Sequence, residues 1–197
     1  METKGDPPIQ FIQDKKPNPI IEFYFELAQL KQLYRQGWLQ RGVARQRCES
    51  VAEHSFSLTT LAMIVADHLF PELNTEKIMR MCLLHDIAEA YTGDFTPQHQ
   101  ITKTEKQHLE QQAMEQLLAK LARGAYYIEL WQEYEEQQTP EAKFVKNMDR
   151  LDMILQASIY EYIYKKDLSE FMSAIEKINC PHIQKIFRDL CEIRESI

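Results

Sequence analysis

The stretch Met81-Cys82-Leu83-Leu84-His85-Asp86-Ile87-Ala88-Glu89-Ala90 sets an imidazole directly beside a carboxylate in an otherwise apolar helical run. A helix of that composition must bury one face, and an uncompensated charge on the buried side costs on the order of several kcal/mol. Something positive must therefore lie beside His85 and Asp86, and a metal ion meets that need. Two more ligand-type residues fit the pattern, His54 within Ser50-Val51-Ala52-Glu53-His54-Ser55 and Asp149 within Phe144-Val145-Lys146-Asn147-Met148-Asp149-Arg150. In chain order the set reads His, His-Asp, Asp.

Around this set, apolar residues recur every three or four positions, strand-like alternation is nearly absent, and the 197 residues include only five glycines. That pattern predicts an all-α chain of about eight helices. The length suits one domain with a sizeable core, residues 20–197, preceded by an arm over residues 1–19 that carries Pro7, Pro8, Pro17 and Pro19. A first helix is expected from Ile20 to about Arg35, ended by Gly37. Ser50 and Glu53 have capping-box spacing, which places His54 in the first turn of the next helix. Asn74 caps a helix carrying Ile78, Met81, Cys82, His85 and Glu89 on one stripe, broken by Thr92-Gly93-Asp94. Further helices follow from Thr102 or Thr104 to about Leu121, from Tyr126 to Glu136, from Thr139-Pro140 to Tyr164, and from about Leu168 and Pro181.

A formal net charge of -7 argues against a general nucleic-acid binder, because neutralising a phosphate backbone requires a basic face. A small anionic substrate needs only a few converging arginines. Cys48, Cys82, Cys180 and Cys191 show no C-x-x-C spacing, so reduced thiols in a cytoplasm are the simplest account. The chain shows neither a leader nor an apolar stretch long enough to cross a bilayer, so no membrane association is expected.

Each candidate ligand has a bland alternative. A lone histidine on an apolar face, as His54 is, is more often a hydrogen-bonded core residue. Asp149 has a competing reading as the salt-bridge partner of Lys146 or Arg150. Neither alternative accounts for all four residues together. Two imidazoles and two carboxylates suit Mn²⁺, Fe²⁺, Co²⁺, Ni²⁺ or Zn²⁺ and do not discriminate among them. His68, His99, His108 and His182 are assigned to packing, surface or loop roles.

Taken together, Glu53-His54, His85-Asp86-Ile87-Ala88-Glu89, Thr92-Gly93-Asp94 and the stretch from Glu141 to Met153 resemble the HD-domain metal-dependent phosphohydrolases, in particular their short 5′-deoxynucleotidase-like branch. The resemblance spans roughly Ile20 to Glu176. It implies an all-helical bundle with one divalent metal between helices, held by His54, His85, Asp86 and Asp149. Glu89, one turn beyond His85, is the place for a general base, and Asp94 would supply a proton to the leaving sugar oxygen or orient the water. Their alternatives are an exposed helix glutamate and ordinary turn chemistry. Trp38 matches the position where the family's nucleotidases abut the deoxyribose; its alternative is an aromatic closing a helix onto the core. Related bacterial enzymes carry a phosphate-holding arginine immediately before that tryptophan, where this chain has Gly37, so either Arg41, Arg45 or Arg47 supplies the charge or the substrate differs; the alternative for each of these arginines is a solvated surface role.

The expected activity is hydrolysis of deoxyribonucleoside 5′-monophosphates to deoxynucleosides and phosphate. One alternative is a phosphohydrolase of the same scaffold acting on a nucleoside triphosphate, a cyclic nucleotide or another phosphate ester. Another is a non-catalytic, metal-stabilised module that binds a nucleotide or a protein. The resemblance also implies a homodimer, for which Tyr126, Tyr127, Trp131, Tyr160, Tyr162 and Tyr164 offer stacking surface, unless they form an aromatic core.

Overall fold

The computed structural model describes residues 1–196. Its α-helical segments are α1 (Pro19–Leu27), α2 (Gln29–Gln32), α3 (Gln36–Gln40), α4 (Val51–Leu69), α5 (Thr75–Leu84), α6 (Glu89–Thr92), α7 (Lys103–Leu118), α8 (Gly124–Glu136), α9 (Pro140–Tyr164) and α10 (Pro181–Glu195). Short 3-10 segments cover Pro8–Ile12, Arg45–Arg47, Pro97–His99 and Ser169–Lys177. Among the described residues, extended pairing is limited to the isolated bridges Thr3–Leu33 and Tyr34–Ser50, so the chain is all-α.

Helix starts follow the local sequence. Ser50 N–H donates to Glu53 Oε2 at 2.7 Å and Glu53 N–H donates to Ser50 Oγ at 3.3 Å, a reciprocal capping box that fixes the first turn of α4. Thr102 and Glu105 do the same for α7. Thr139 caps α9, with Pro140 at the first helical position, where its missing N–H costs nothing. Asn74 Oδ1 accepts from Lys77 N–H at 3.0 Å at the head of α5.

Two expected helices are interrupted, and both interruptions lie near the ligand candidates. The helix expected from Ile20 to Arg35 divides at Ala28, and Leu33 turns extended at φ -80°, ψ 117°. The reason is a competing hydrogen bond: Leu33 C=O accepts from Val51 N–H at 3.0 Å, which satisfies an orphan donor at the start of α4, and Arg35 N–H donates to Glu49 C=O at 3.0 Å. Gly37 ends no helix; it lies inside α3. The stripe through His85 and Glu89 is broken as well. Beyond Leu84 the chain tightens into turns closed by Ile87 N–H to Leu84 C=O and Glu89 N–H to Asp86 C=O, and α6 starts afresh at Glu89. Gly93, at φ 74°, closes α6 in a conformation that favours glycine.

The chain forms two compact units. The first comprises Met1–Phe56 and Leu83–Gln132, around a core of Leu30, Leu33, Val51, Ile87, Met114, Leu117, Leu118 and Trp131. Burying each large aliphatic side chain there stabilises by roughly 1.5–3 kcal/mol. A second tie is polar: Lys120 Nζ pairs with Glu26 Oε2 at 2.5 Å, and Tyr91 O–H donates to Glu26 Oε1 at 2.6 Å, joining α6 to α1. The other unit comprises Ser57–Cys82 and the residues from Glu133 on. There Phe70 packs edge-on to Phe144 and His182, which gives His182 its expected packing role, and Arg194 of α10 pairs with Glu161 of α9. Of the aromatics considered for self-association, Trp131 and Tyr160 are buried core residues, whereas Tyr126 and Tyr162 are exposed.

Candidate metal centre

His54 falls on the fourth residue of α4, behind the capping box, and is 1% exposed. Its Nε2 lies 3.3 Å from Nε2 of His85, and the rings meet edge-on. Asp86 Oδ2 lies 3.0 Å from His85 Nε2 and 3.8 Å from His54 Nε2. The turn that interrupts the helix after Leu84 allows His85 and the following Asp86 to reach the same point. On α9, Asp149 accepts from Lys146 Nζ at 3.1 Å, so its salt-bridge reading is realised, and Lys146 also donates to Tyr134 O–H at 2.9 Å. Within the first unit, His54 and His85 each offer a ring nitrogen that could take part in holding a metal ion.

The charges around the two histidines are unusually dense. Arg35 Nη1 stands 3.4 Å from Asp86 Oδ2 and 3.7 Å from Asp94 Oδ1. Burial opposes ionisation of Asp86, but the charge and hydrogen bond of His85, then Arg35 and His54, outweigh it and hold the carboxyl below its usual range. Asp94 Oδ2 accepts from Gln36 N–H at 2.6 Å, so both of its oxygens face donors. Glu89 behaves oppositely. It is 4% exposed, and burial first, then the negative charges of Asp86 and Asp94, push its carboxyl well above the ordinary value, against the pull of Arg35 and Lys106. Its Oε2 is buried with no hydrogen-bond partner among the described residues.

These residues fit a divalent cation. A buried carboxylate oxygen without a donor costs about 1–3 kcal/mol or more unless something positive or protic faces it. Two imidazole nitrogens facing each other can share only one proton between them, so at least one lone pair stays available, and a mixed nitrogen and oxygen donor set suits a borderline transition metal.

The substrate-side candidates are less concentrated. Trp38 is buried, and its Nε1 donates to Glu49 Oε1 at 2.7 Å, so it is anchored whatever else it contacts. Arg41, Arg45 and Arg47 are exposed, and Arg45 pairs with Glu2. Two residues escaped the sequence reading. Sequence patterning puts Arg35 at a helix end and gives Gln36 no motif; the one signal is that Arg35 lies three positions before Trp38, on the same segment as Gly37.

An all-helical chain with a His, His-Asp constellation beside a buried glutamate defines a class, and the HD domain profile matches residues 27–190: this chain belongs to the HD domain family. Within it, the chain is 41% identical over 177 residues to the human 5′-deoxynucleotidase HDDC2, covering 87% of this chain and 84% of that one. Among solved structures it is similar to the PH0347 protein from Pyrococcus horikoshii OT3, with a TM-score of 0.70 and 36% identity, covering 88% of this chain and 97% of that one. A protein from Magnetospirillum magnetotacticum MS-1 described as a "predicted metal-dependent phosphohydrolase" matches with a TM-score of 0.70 and 26% identity over 90% of this chain and 94% of its own.

Proposed function

We infer that the chain is a metal-dependent phosphomonoesterase that converts deoxyribonucleoside 5′-monophosphates to deoxynucleosides and inorganic phosphate. The observation that carries this reading is the unpartnered, buried Oε2 of Glu89 in the same cluster as His54, His85 and Asp86. A closed structural site would have no use for a proton acceptor kept away from every donor. The human relative's name supports the substrate class.

In this reading His54, His85, Asp86 and Asp149 hold one divalent ion, whether manganese, cobalt, iron, nickel or zinc. Such an ion supplies Lewis acidity toward phosphate oxygens and acidifies water. Glu89 takes the proton of the attacking water, its raised affinity for protons suiting a base that works near neutral pH. Asp94, with donors on both oxygens, serves as an acceptor that orients that water rather than as a proton donor. Arg35 brings positive charge to the phosphate side, where the sequence pattern lacks an arginine at position 37, and the exposed loop arginines 41, 45 and 47 attract the anion from farther out. Trp38 presents a fixed ring to the sugar.

The test is phosphate release from a panel of deoxyribo- and ribonucleotides with Mn²⁺ or Co²⁺ added. Release from deoxynucleoside monophosphates is expected. Tripolyphosphate from a triphosphate, ring opening of a cyclic nucleotide without monoester hydrolysis, or full metal occupancy with no turnover would each overturn the reading. The same reading carries a cytoplasmic homodimer, supported by the exposed Ile159, Tyr162 and Ile163 on α9. A monomer mass by light scattering at micromolar concentration would reject it. No helix among the described residues is long and apolar enough to cross a membrane.

A further inference from the structure

Residues 1–4 do not trail away from the first unit; they fold back over the segment that holds Asp94. Glu2 N–H donates to Gln36 Oε1 at 2.9 Å, and Gln36 Nε2 donates to Glu2 C=O at 2.9 Å, so one carboxamide pairs with both polar groups of a backbone residue as a neighbouring strand would. The pairing continues along the chain. Thr3 bridges to Leu33, and Lys4 N–H donates to Gln32 C=O at 2.6 Å. Lys4 Nζ then reaches Glu53 at 3.0 Å, the residue before His54. At the other end, a Cβ built on Gly93 would stand 1.9 Å from Met1 Sδ, so the thioether lies directly on the residue before Asp94.

Gln36 connects this strap to the carboxylate. It is 5% exposed, its Nε2 also donates to Tyr34 C=O at 2.8 Å, and its own backbone N–H is the 2.6 Å donor to Asp94. Arg35, next to it, carries the second donor facing Asp94. A glutamine whose side chain makes three hydrogen bonds to backbone groups has no rotational freedom left, and the first turn of α3 is fixed with it. A misplacement of about 1 Å at a reacting group can cost a hundredfold in rate.

We propose that residues 1–4 and the Gln36 carboxamide form a positioning strap that sets Asp94, and that Gln36 is a positioning residue for the hydrolytic step. The strap acts from both sides of the carboxylate: Gln36 fixes the donor in front of Asp94, and Met1 blocks the Gly93 backbone from moving behind it. This rests on the reading of Asp94 as the acceptor that orients water. Arg35 and Trp38, the neighbouring residues assigned to substrate binding, keep anchors outside the strap, Arg35 N–H to Glu49 C=O at 3.0 Å and Trp38 Nε1 to Glu49 Oε1 at 2.7 Å, so loss of the strap should lower kcat while leaving KM nearly unchanged.

The experiment uses the metal-loaded full chain, the variants Gln36→Met and Gln36→Glu, and a chain lacking residues 2–4. Steady-state kinetics on a deoxynucleoside monophosphate are paired with hydrogen exchange of the peptide spanning Gln36. Gln36→Met and the deletion should reduce kcat about tenfold or more, with KM within about twofold and an unchanged melting temperature. Gln36→Glu keeps the acceptor for Glu2 N–H but sets a carboxylate oxygen against the Glu2 and Tyr34 carbonyls, and should lose at least as much kcat as Gln36→Met. Exchange at Gln36 should speed up at least about tenfold in the deletion. Unchanged kcat in Gln36→Met and in the deletion, or equal losses of kcat and folded fraction, would overturn the proposal while leaving the phosphatase reading intact. If the parent chain hydrolyses no deoxynucleotide, that reading fails instead, and unaltered exchange in the deletion would still dispose of the strap.

Discussion

The Nε2 atoms of His54 and His85 face each other at 3.3 Å, with the Asp86 carboxylate 3.0 Å from the second of them. Two ring nitrogens and a carboxylate are thereby held together by a capped helix start and an interrupted helix end. A divalent ion would find three donors there.

Metal removal should therefore be felt as stability as well as activity. Chelation should abolish phosphate release, and readdition of Mn²⁺ or Co²⁺ at about a hundred times its dissociation constant should stabilise the fold by about 2.7 kcal/mol, seen as a rise in melting temperature. Asp86→Ala should lose both metal and turnover. A variant retaining stoichiometric metal by elemental analysis would remove Asp86 from the ligand set.

Glu89→Gln separates the proposed base from the proposed ligands. Turnover should fall by about a hundredfold or more with metal content preserved. The sign of the pH effect on stability is also fixed. A carboxyl whose folded value is raised favours the fold most below its ordinary value of 4.5, and that contribution is lost as pH rises through the raised folded value. In metal-free protein, the melting temperature of Glu89→Gln relative to the parent should climb as pH rises above 4.5. A difference that stays flat would contradict the buried, raised carboxyl.

Arg35 opposes the rise of Glu89 and helps to keep Asp86 ionised. Arg35→Ala should lower kcat/KM by about tenfold to a hundredfold and move the acid limb of the pH–rate profile to higher pH, because Glu89 loses a neighbouring positive charge. Arg35→Lys should recover part of both effects. A limb that shifts to lower pH would refute this electrostatic role.

Trp38 is anchored through Glu49, and the proposed function gives its ring to the sugar. Trp38→Phe removes the donor to Glu49 and part of the buried indole, and should cost at least about 1 kcal/mol in urea unfolding while retaining a preference for deoxyribonucleotides. Trp38→Leu, which removes the flat ring, should narrow that preference. Equal discrimination by parent chain and Trp38→Leu would assign Trp38 to the core alone.

Lys120→Ala leaves Glu26 buried with Tyr91 as its remaining donor, and should destabilise by about 3 kcal/mol. Because Tyr91 sits two residues beyond Glu89 on α6, turnover should fall with it. Lys120→Met, which preserves the stem, should lose the same stability if the charge is what matters.

The capping box at Ser50, the Thr139-Pro140 start and the closing Gly93 were legible because each is a local exchange of hydrogen bonds within about four residues, while the start of α7, open in the sequence between Thr102 and Thr104, is decided by the Thr102–Glu105 box. The all-α class was legible from the three-and-four spacing for the same reason. The breaks at Ala28 and after Leu84 were not, since no residue there opposes helix. Leu33 leaves the helix only because Val51 N–H, far along the chain, needs its carbonyl. Arg35 and Gln36 were missed on the same account: their value comes from Asp86, Asp94 and Glu2, none of which is a sequence neighbour.

Sequence by itself determined the helical class, the main helix starts and the kind of donors available to a metal, because periodicity, capping and side-chain chemistry act over one or two turns. Only the tertiary structure decided that the imidazoles of His54 and His85 face each other, that Glu89 Oε2 has no hydrogen-bond partner among the described residues and that Gln36 presents its N–H to Asp94. Those relationships depend on desolvation and on hydrogen bonds between residues tens of positions apart, and their strength is set by where the backbone is brought together rather than by what stands next to what along it.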